Sequence, residues 1–213
     1  MDGAVENEYK FVSYEGDYDA INSELREHLR RSGMAFREKS KHSIDNYYDS
    51  NDLALYHSDC CLRKKTTKKG KSKLTIKKPI DNGHGMMSRQ EIEESSDGSL
   101  DSIKGFAERY LPGIVIKDEP VISVETDRTV FEYLDGSGVK LSLDHCFYKH
   151  GEMSKEFYEI EIESMSDITV RDFDSIGIID TIVNDLRFRQ TTVSKYSRGM
   201  DWILGKRSFP THP

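Results

Sequence analysis

Carboxylates recur two residues apart on segments that alternate polar and apolar side chains: Glu6 with Glu8, and Glu159 with Glu161. Asp144 ends a third such segment. On an extended strand, residues i and i+2 share a face and stand about 6–7 Å apart. Glu6, Glu8, Asp144, Glu159 and Glu161 can therefore converge on a hard cation that takes oxygen ligands, such as Mg²⁺ or Mn²⁺. Other alternating segments carry cations on one side: Lys73 and Lys77 with Thr75, and Arg89 with Glu91 and Glu93. Lys and Arg cannot ligate a metal, and repel one unless an anion lies between. A chain of phosphates is the simplest anion that needs both the metal and many cations.

Strands are the elements that must position these groups. Period-2 patterning marks candidate strands at residues 4–13, 41–49, 60–66, 72–78, 86–94, 120–134, 138–145 and 155–163. Lys69-Gly70-Lys71 and Asp135-Gly136-Ser137-Gly138 carry the turn chemistry of hairpins. Three apolar stripes read as helices. Ile21, Leu25 and Leu29 are ended by Gly33, Leu100 to Tyr110 is stopped by Pro112, and Phe173 to Leu186 makes the third. Short links between strands imply an antiparallel sheet. A single strand of this kind ordinarily belongs to a sheet with one solvated face. About eight of them suffice to close a barrel. With apolar faces against helices, the polar faces then line a charged bore. The expectation is an α+β fold: one domain over residues 1–213, an eight-stranded antiparallel β-barrel forming a tunnel, with helices packed outside.

Composition narrows the classes. The 213 residues hold 31 Lys and Arg against 38 Asp and Glu, a net charge of −7. No apolar run reaches the length of a membrane helix, and the acidic N-terminus resembles no secretory leader, so a cytoplasmic protein without a membrane partner is expected. Cys60, Cys61 and Cys146 are an odd count without metal-site spacing. A net negative charge argues against nucleic acid as the main partner, unless the cations are segregated in space.

Several of these segments resemble motifs of the CYTH superfamily, the triphosphate tunnel metalloenzymes. Glu6-Asn7-Glu8-Tyr9-Lys10 is similar to the E-x-E-x-K signature, and Tyr47-Tyr48-Asp49-Ser50 to a Y-Y-D-T step. Leu62-Arg63-Lys64-Lys65 resembles L-R-x-R, with Lys65 in place of the second Arg. Leu74-Thr75-Ile76-Lys77 resembles L-T-x-K, and Arg89-Gln90-Glu91-Ile92-Glu93 resembles R-x-E-x-E. Lys140 to Asp144, Tyr158-Glu159-Ile160-Glu161 and Ser194-Lys195-Tyr196 complete the order.

The resemblance implies cleavage of a triphosphate with Mg²⁺ or Mn²⁺ in the tunnel. By position it assigns the metal to Glu6, Glu8, Asp144, Glu159 and Glu161, and the catalytic set to these acids with Lys10. It assigns phosphate to Lys10, Arg63, Lys65, Lys77, Arg89, Arg128 and Lys195, with Arg198 as a lesser addition. Glu91 and Glu93 either ligate metal or anchor cations by ion pairs. The substrate expected is inorganic tripolyphosphate or a related organic triphosphate. Class IV adenylate cyclase, thiamine triphosphatase, RNA 5′-triphosphatase and a non-catalytic polyphosphate- or nucleotide-binding module are the alternatives. Oligomeric state stays open.

Other signals carry less. Gly70-Lys71-Ser72 lacks the earlier glycine of a phosphate-binding loop, since position 65 is Lys65, and reads as a hairpin. Gly83-His84-Gly85 reads as a loop and Trp202 as a packing residue.

Overall fold

A computed structural model of the chain describes residues 4–80, 87–164 and 176–206, with side chains in the first strand from Glu8 onward. Among the described residues, nine strands form one antiparallel sheet: β1 (Ala4–Ser13), β2 (Phe36–Tyr48), β3 (Cys61–Thr67), β4 (Ser72–Ile80), β5 (Met87–Ser96), β6 (Ile122–Tyr133), β7 (Lys140–His150), β8 (Met153–Ser164) and β9 (Arg189–Thr191). Their order is β5-β4-β3-β2-β6-β7-β8-β1-β9, with β5 also paired to β1. Every expected strand is present, and β2 begins earlier and β7 ends later than the alternation suggested. Both expected hairpins form, and Gly70 takes φ +75° in the first, a conformation that favours glycine.

Two features correct the simple barrel. The sheet has nine strands rather than eight. Among the described residues its two ends pair from Ala4↔Glu91 to Glu8↔Met87, and β9 takes the same edge of β1 from Lys10 to Val12. The sheet therefore curls back on itself without being a uniformly closed eight-stranded barrel. β9 is three residues long, too short for periodicity to reveal.

Among the described residues, five α-helices accompany the sheet: α1 (Tyr18–Arg31), α2 (Ala54–His57), α3 (Leu100–Tyr110), α4 (Ile178–Asp180) and α5 (Lys195–Ile203). The Asp17 carboxylate caps α1 by accepting from the Ala20 amide at 2.8 Å, and Gly33 follows its end at φ +71°. Leu25 and Leu29 on α1 are fully buried, packed with Leu141, Leu143, Ile160 and Ile162 from the outer faces of β7 and β8. On the other side, Ile103 and Phe106 of α3 pack with Leu62 and Ile76 of β3 and β4. Each full burial of such a side chain contributes about 1.5–3 kcal/mol.

The third expected helix begins at Phe173, outside the described residues. Its described part is the short α4 followed by a π turn, Thr181–Asp185, where β-branched residues from Ile178 to Val183 lower helix propensity. Gly83-His84-Gly85 also lies outside the described residues. No helix among the described residues is long and apolar enough to cross a membrane.

The second correction concerns α5, which lies against the inner face of the sheet. Gly199 on α5 faces Ile122 and Tyr148, whose side chains share the inner faces of β6 and β7 with Arg128 and Asp144. Helices do not all pack outside.

Candidate functional site

Alternation aims one side of each strand inward, and the inward groups line a cavity of about 860 Å³. Its wall includes Glu8 and Lys10 from β1, Arg63 and Lys65 from β3, Lys77 from β4, Arg89 from β5, Arg128 from β6, Asp144 from β7, Glu161 from β8 and Lys195 from α5. Ten of the described lining residues are Lys or Arg and eight are Asp or Glu, so the wall is net positive in a chain of net charge −7. Glu159 lies just beneath, fully buried, in contact with Lys10, Lys195 and Arg198. Glu6 stands on β1 in register with Arg89, and its side chain lies outside the described residues.

At the floor, carboxylate oxygens of Asp144, Glu159 and Glu161 all lie within 4.8 Å of one another. Arg128 grips Asp144 through two bonds of 2.5 Å and also reaches Glu161 at 2.5 Å. Lys10 Nζ lies 3.0 Å from Glu8, 3.2 Å from Glu161 and 3.6 Å from Glu159. Burial alone would raise the Asp144 and Glu161 pKa values, but Lys195, Arg128 and, for Glu161, Lys10 hold both carboxyls below their ordinary range. These acids stay ionised.

The wall away from the floor is charged differently. Arg63 contacts Asp45 loosely, at 3.6 Å, and donates to the Thr75 hydroxyl at 3.4 Å, while its buried Nε finds no partner among the described residues. Lys41 and Lys65 form no ion pair among the described residues. Burial pushes Lys65 down to about 8, against the attraction of Asp45 and with the repulsion of Arg63 and Arg128. Burial, then Arg128, likewise lowers Lys41. Uncompensated cations in a cavity are where an anion gains most.

A sequence model of the CYTH domain matches residues 4–178 of the chain. The chain belongs to the CYTH family. No curated protein sequence matches it. Among solved structures, a putative adenylyl cyclase from Hippeastrum, described as having a dominant triphosphatase activity, superposes with TM-score 0.63 at 17% identity, covering 98% of this chain and 100% of that one. A putative adenylate cyclase from Bacillus halodurans gives TM-score 0.58 at 18% identity, covering 93% and 98%. The PH1819 protein of Pyrococcus horikoshii OT3 gives 0.52 at 22% identity, covering 94% and 99%. At these identities the likeness is one of fold.

Within this CYTH domain, Glu91 and Glu93 are ion-paired: Glu91 contacts Lys77, and Glu93 reaches Lys73 at 2.5 Å and accepts from Thr75 at 3.1 Å. Arg89 is held by the Asp59 carboxylate at 3.0–3.1 Å. Arg198 is 2% exposed and contacts Glu159, so it balances the floor rather than lining the cavity. Phe157, on the same face of β8 as Glu159 and Glu161, is fully buried between Tyr14 and Tyr148.

Sequence reasoning missed Lys41 and Asp45 on β2; Lys140 and Glu163, on the charged faces of β7 and β8, line the cavity although neither was assigned a role. The signal existed: Lys41, Ser43, Asp45 and Tyr47 alternate with outward residues. It also missed Tyr110, whose hydroxyl donates to Glu94 at 2.9 Å at the cavity wall.

Proposed function

We infer that the chain hydrolyses the terminal phosphoanhydride of inorganic tripolyphosphate or a related triphosphate inside this cavity. The observation that carries the reading is the join of two unlike surfaces: a floor of three mutually close buried carboxylates, and a wall where Lys65 and Lys41 form no ion pair among the described residues and Arg63 keeps an unpartnered Nε.

The donor set fits Mg²⁺ or Mn²⁺, being all hard carboxylate oxygen, with Asp144, Glu159 and Glu161 as the converging ligands, and Glu8 and Glu6 of β1 are the further acids assigned to the metal in this reading. Such an ion, when bound, neutralises phosphate charge and lowers the pKa of a coordinated water. The chain's own residues do the rest. Lys65, Lys77 and Arg63 bind phosphate oxygens along the wall, and Lys10 and Arg128 bind them next to the acids. Charge developing on the transferred phosphoryl group is met by cations already in place, with little reorganisation. A covalent phospho-enzyme is not needed. Cys61 lines the cavity, but burial, only partly offset by Arg89 and Arg63, raises its pKa, and the neutral thiol is a poor nucleophile.

One observation favours a second reading, a nucleoside triphosphate as substrate for hydrolysis or cyclisation. Tyr110 is half-buried on the wall, an aromatic side chain that a base could meet. Tyr47 and Tyr196 also line the cavity, but stack on each other at 5.3 Å and are buried. Inorganic tripolyphosphate is favoured because affinity then comes from phosphate contacts alone, with no base to accommodate.

Phosphate release from tripolyphosphate, ATP, thiamine triphosphate and longer polyphosphate, with Mg²⁺ and Mn²⁺, tests the reading. Tripolyphosphate should give the highest kcat/KM and yield pyrophosphate. A higher value for ATP, or a cyclic nucleotide product, selects the second reading. Tight binding without turnover of any substrate selects a binding module.

A further inference from the structure

Lys195 Nζ lies 2.9 Å from Asp144 and 2.8 Å from Glu161, and it also contacts Glu159. These are the three carboxylates whose oxygens converge at the floor. The other described cations there reach fewer of them. Arg128 meets Asp144 and Glu161, Lys10 meets Glu159 and Glu161, and Arg198 meets Glu159. One ammonium centred on three carboxylates stands where a hard cation would be drawn.

We propose that Lys195 is a built-in counter-ion, which holds the metal locus in the anion-free protein and leaves it for phosphate when a divalent cation enters. This rests on the reading of Asp144, Glu159 and Glu161 as that locus. An ammonium and a divalent ion repel each other at contact distance, so they do not share one point among three carboxylates. Withdrawing the ammonium alone would strand buried charges, which is strongly unfavourable. The exchange is balanced only when both partners arrive: the divalent ion replaces the ammonium on the acids, and a phosphate oxygen receives the ammonium. Lys195 is suited to this, because its backbone is fixed at the first turn of α5 by the Ser194 cap while a flexible four-carbon stem carries the charge. Metal without phosphate should therefore bind weakly.

Lys10 supplies a control, since it carries the same charge against the same cluster yet misses Asp144. Mn²⁺ binding is read by the loss of the free-ion paramagnetic resonance signal, without phosphate, for the wild type, Lys195→Met and Lys10→Met. Circular dichroism reports folding, and Lys195→Gln stands in if Lys195→Met does not fold. Lys195→Met should bind Mn²⁺ at least tenfold more tightly than wild type, and Lys10→Met should gain less. Equal affinity in wild type and Lys195→Met overturns the proposal and leaves the hydrolase reading standing. An equal gain in Lys10→Met also overturns it, by reducing the effect to net charge. Absence of Mn²⁺ binding in every protein removes the metal locus itself, and the hydrolase reading with it.

Discussion

The Tyr196 hydroxyl donates a hydrogen bond of 2.5 Å to the Asp49 carboxylate, across 147 residues of sequence. The same carboxylate accepts from the amides of Ser50 at 2.7 Å and of Leu55 and Tyr56 at 2.9 Å. Asp49 thereby caps α2 and ties it to α5, and Tyr56 to Asp201 and Asp59 to Ser197 add further links. These links help hold α5 where Lys195 and Arg198 reach the floor. Asp49→Asn should destabilise the protein by about 2–3 kcal/mol, since an amide NH₂ would face donors in a site with no solvent access. Tyr196→Phe should cost about 1 kcal/mol. Urea unfolding of the two variants checks the order, and an Asn variant as stable as wild type would contradict it.

Gly199 sits where α5 approaches β6 and β7. A Cβ there would press on the end of Ile122 and lie 3.0 Å from the Tyr148 ring, both nearly fully buried. Gly199→Ala should lower stability by about 1–3 kcal/mol through overpacking, despite alanine's better helix propensity. A thermal melt that rises instead would show that α5 can shift outward freely.

Glu8 is 5% exposed and lies 3.0 Å from Lys10. Glu8→Gln keeps its shape and removes one charge from the acid set. Tripolyphosphate hydrolysis should fall by about 100-fold or more, with the circular dichroism spectrum unchanged. Turnover close to wild type would remove Glu8 from the metal assignment.

Lys65, held near 8 against an ordinary 10.5, gives a pH dependence with a definite sign. Below pH 8 it is charged in the folded protein and its burial costs stability. Between about 8 and 10.5 the folded form sheds the proton first, so this cost is relieved as pH rises. Anion binding runs the other way, because phosphate needs the charged form. Tripolyphosphate affinity in EDTA should decline as pH climbs through 8, and Lys65→Arg should flatten the decline, since guanidinium stays charged. Calorimetric titrations at several pH values decide it, and parallel profiles for the two proteins would refute the role.

Much of the bore was legible because inward and outward are local properties of a strand. Lys10, Lys77, Asp144 and Glu161 need only the period of two to be placed on the charged faces, Arg63 and Arg128 came from the motif resemblance, and all six line the cavity. Lys41 and Asp45 obey the same period on β2, but no motif of the resemblance marks them.

What the chain determines by itself is thus the identity of the inward groups and the strands that carry them. Alternation is written in neighbouring residues. Tertiary structure alone decides how these groups pair. Arg128 opposes Asp144 across β6 and β7, β9 takes part of the edge that β5 would have closed, and α5 brings Lys195 into the acid cluster from the far end of the chain. Such choices depend on contacts between residues distant in sequence, where burial and charge balance are set by everything packed around them, and no local pattern records that.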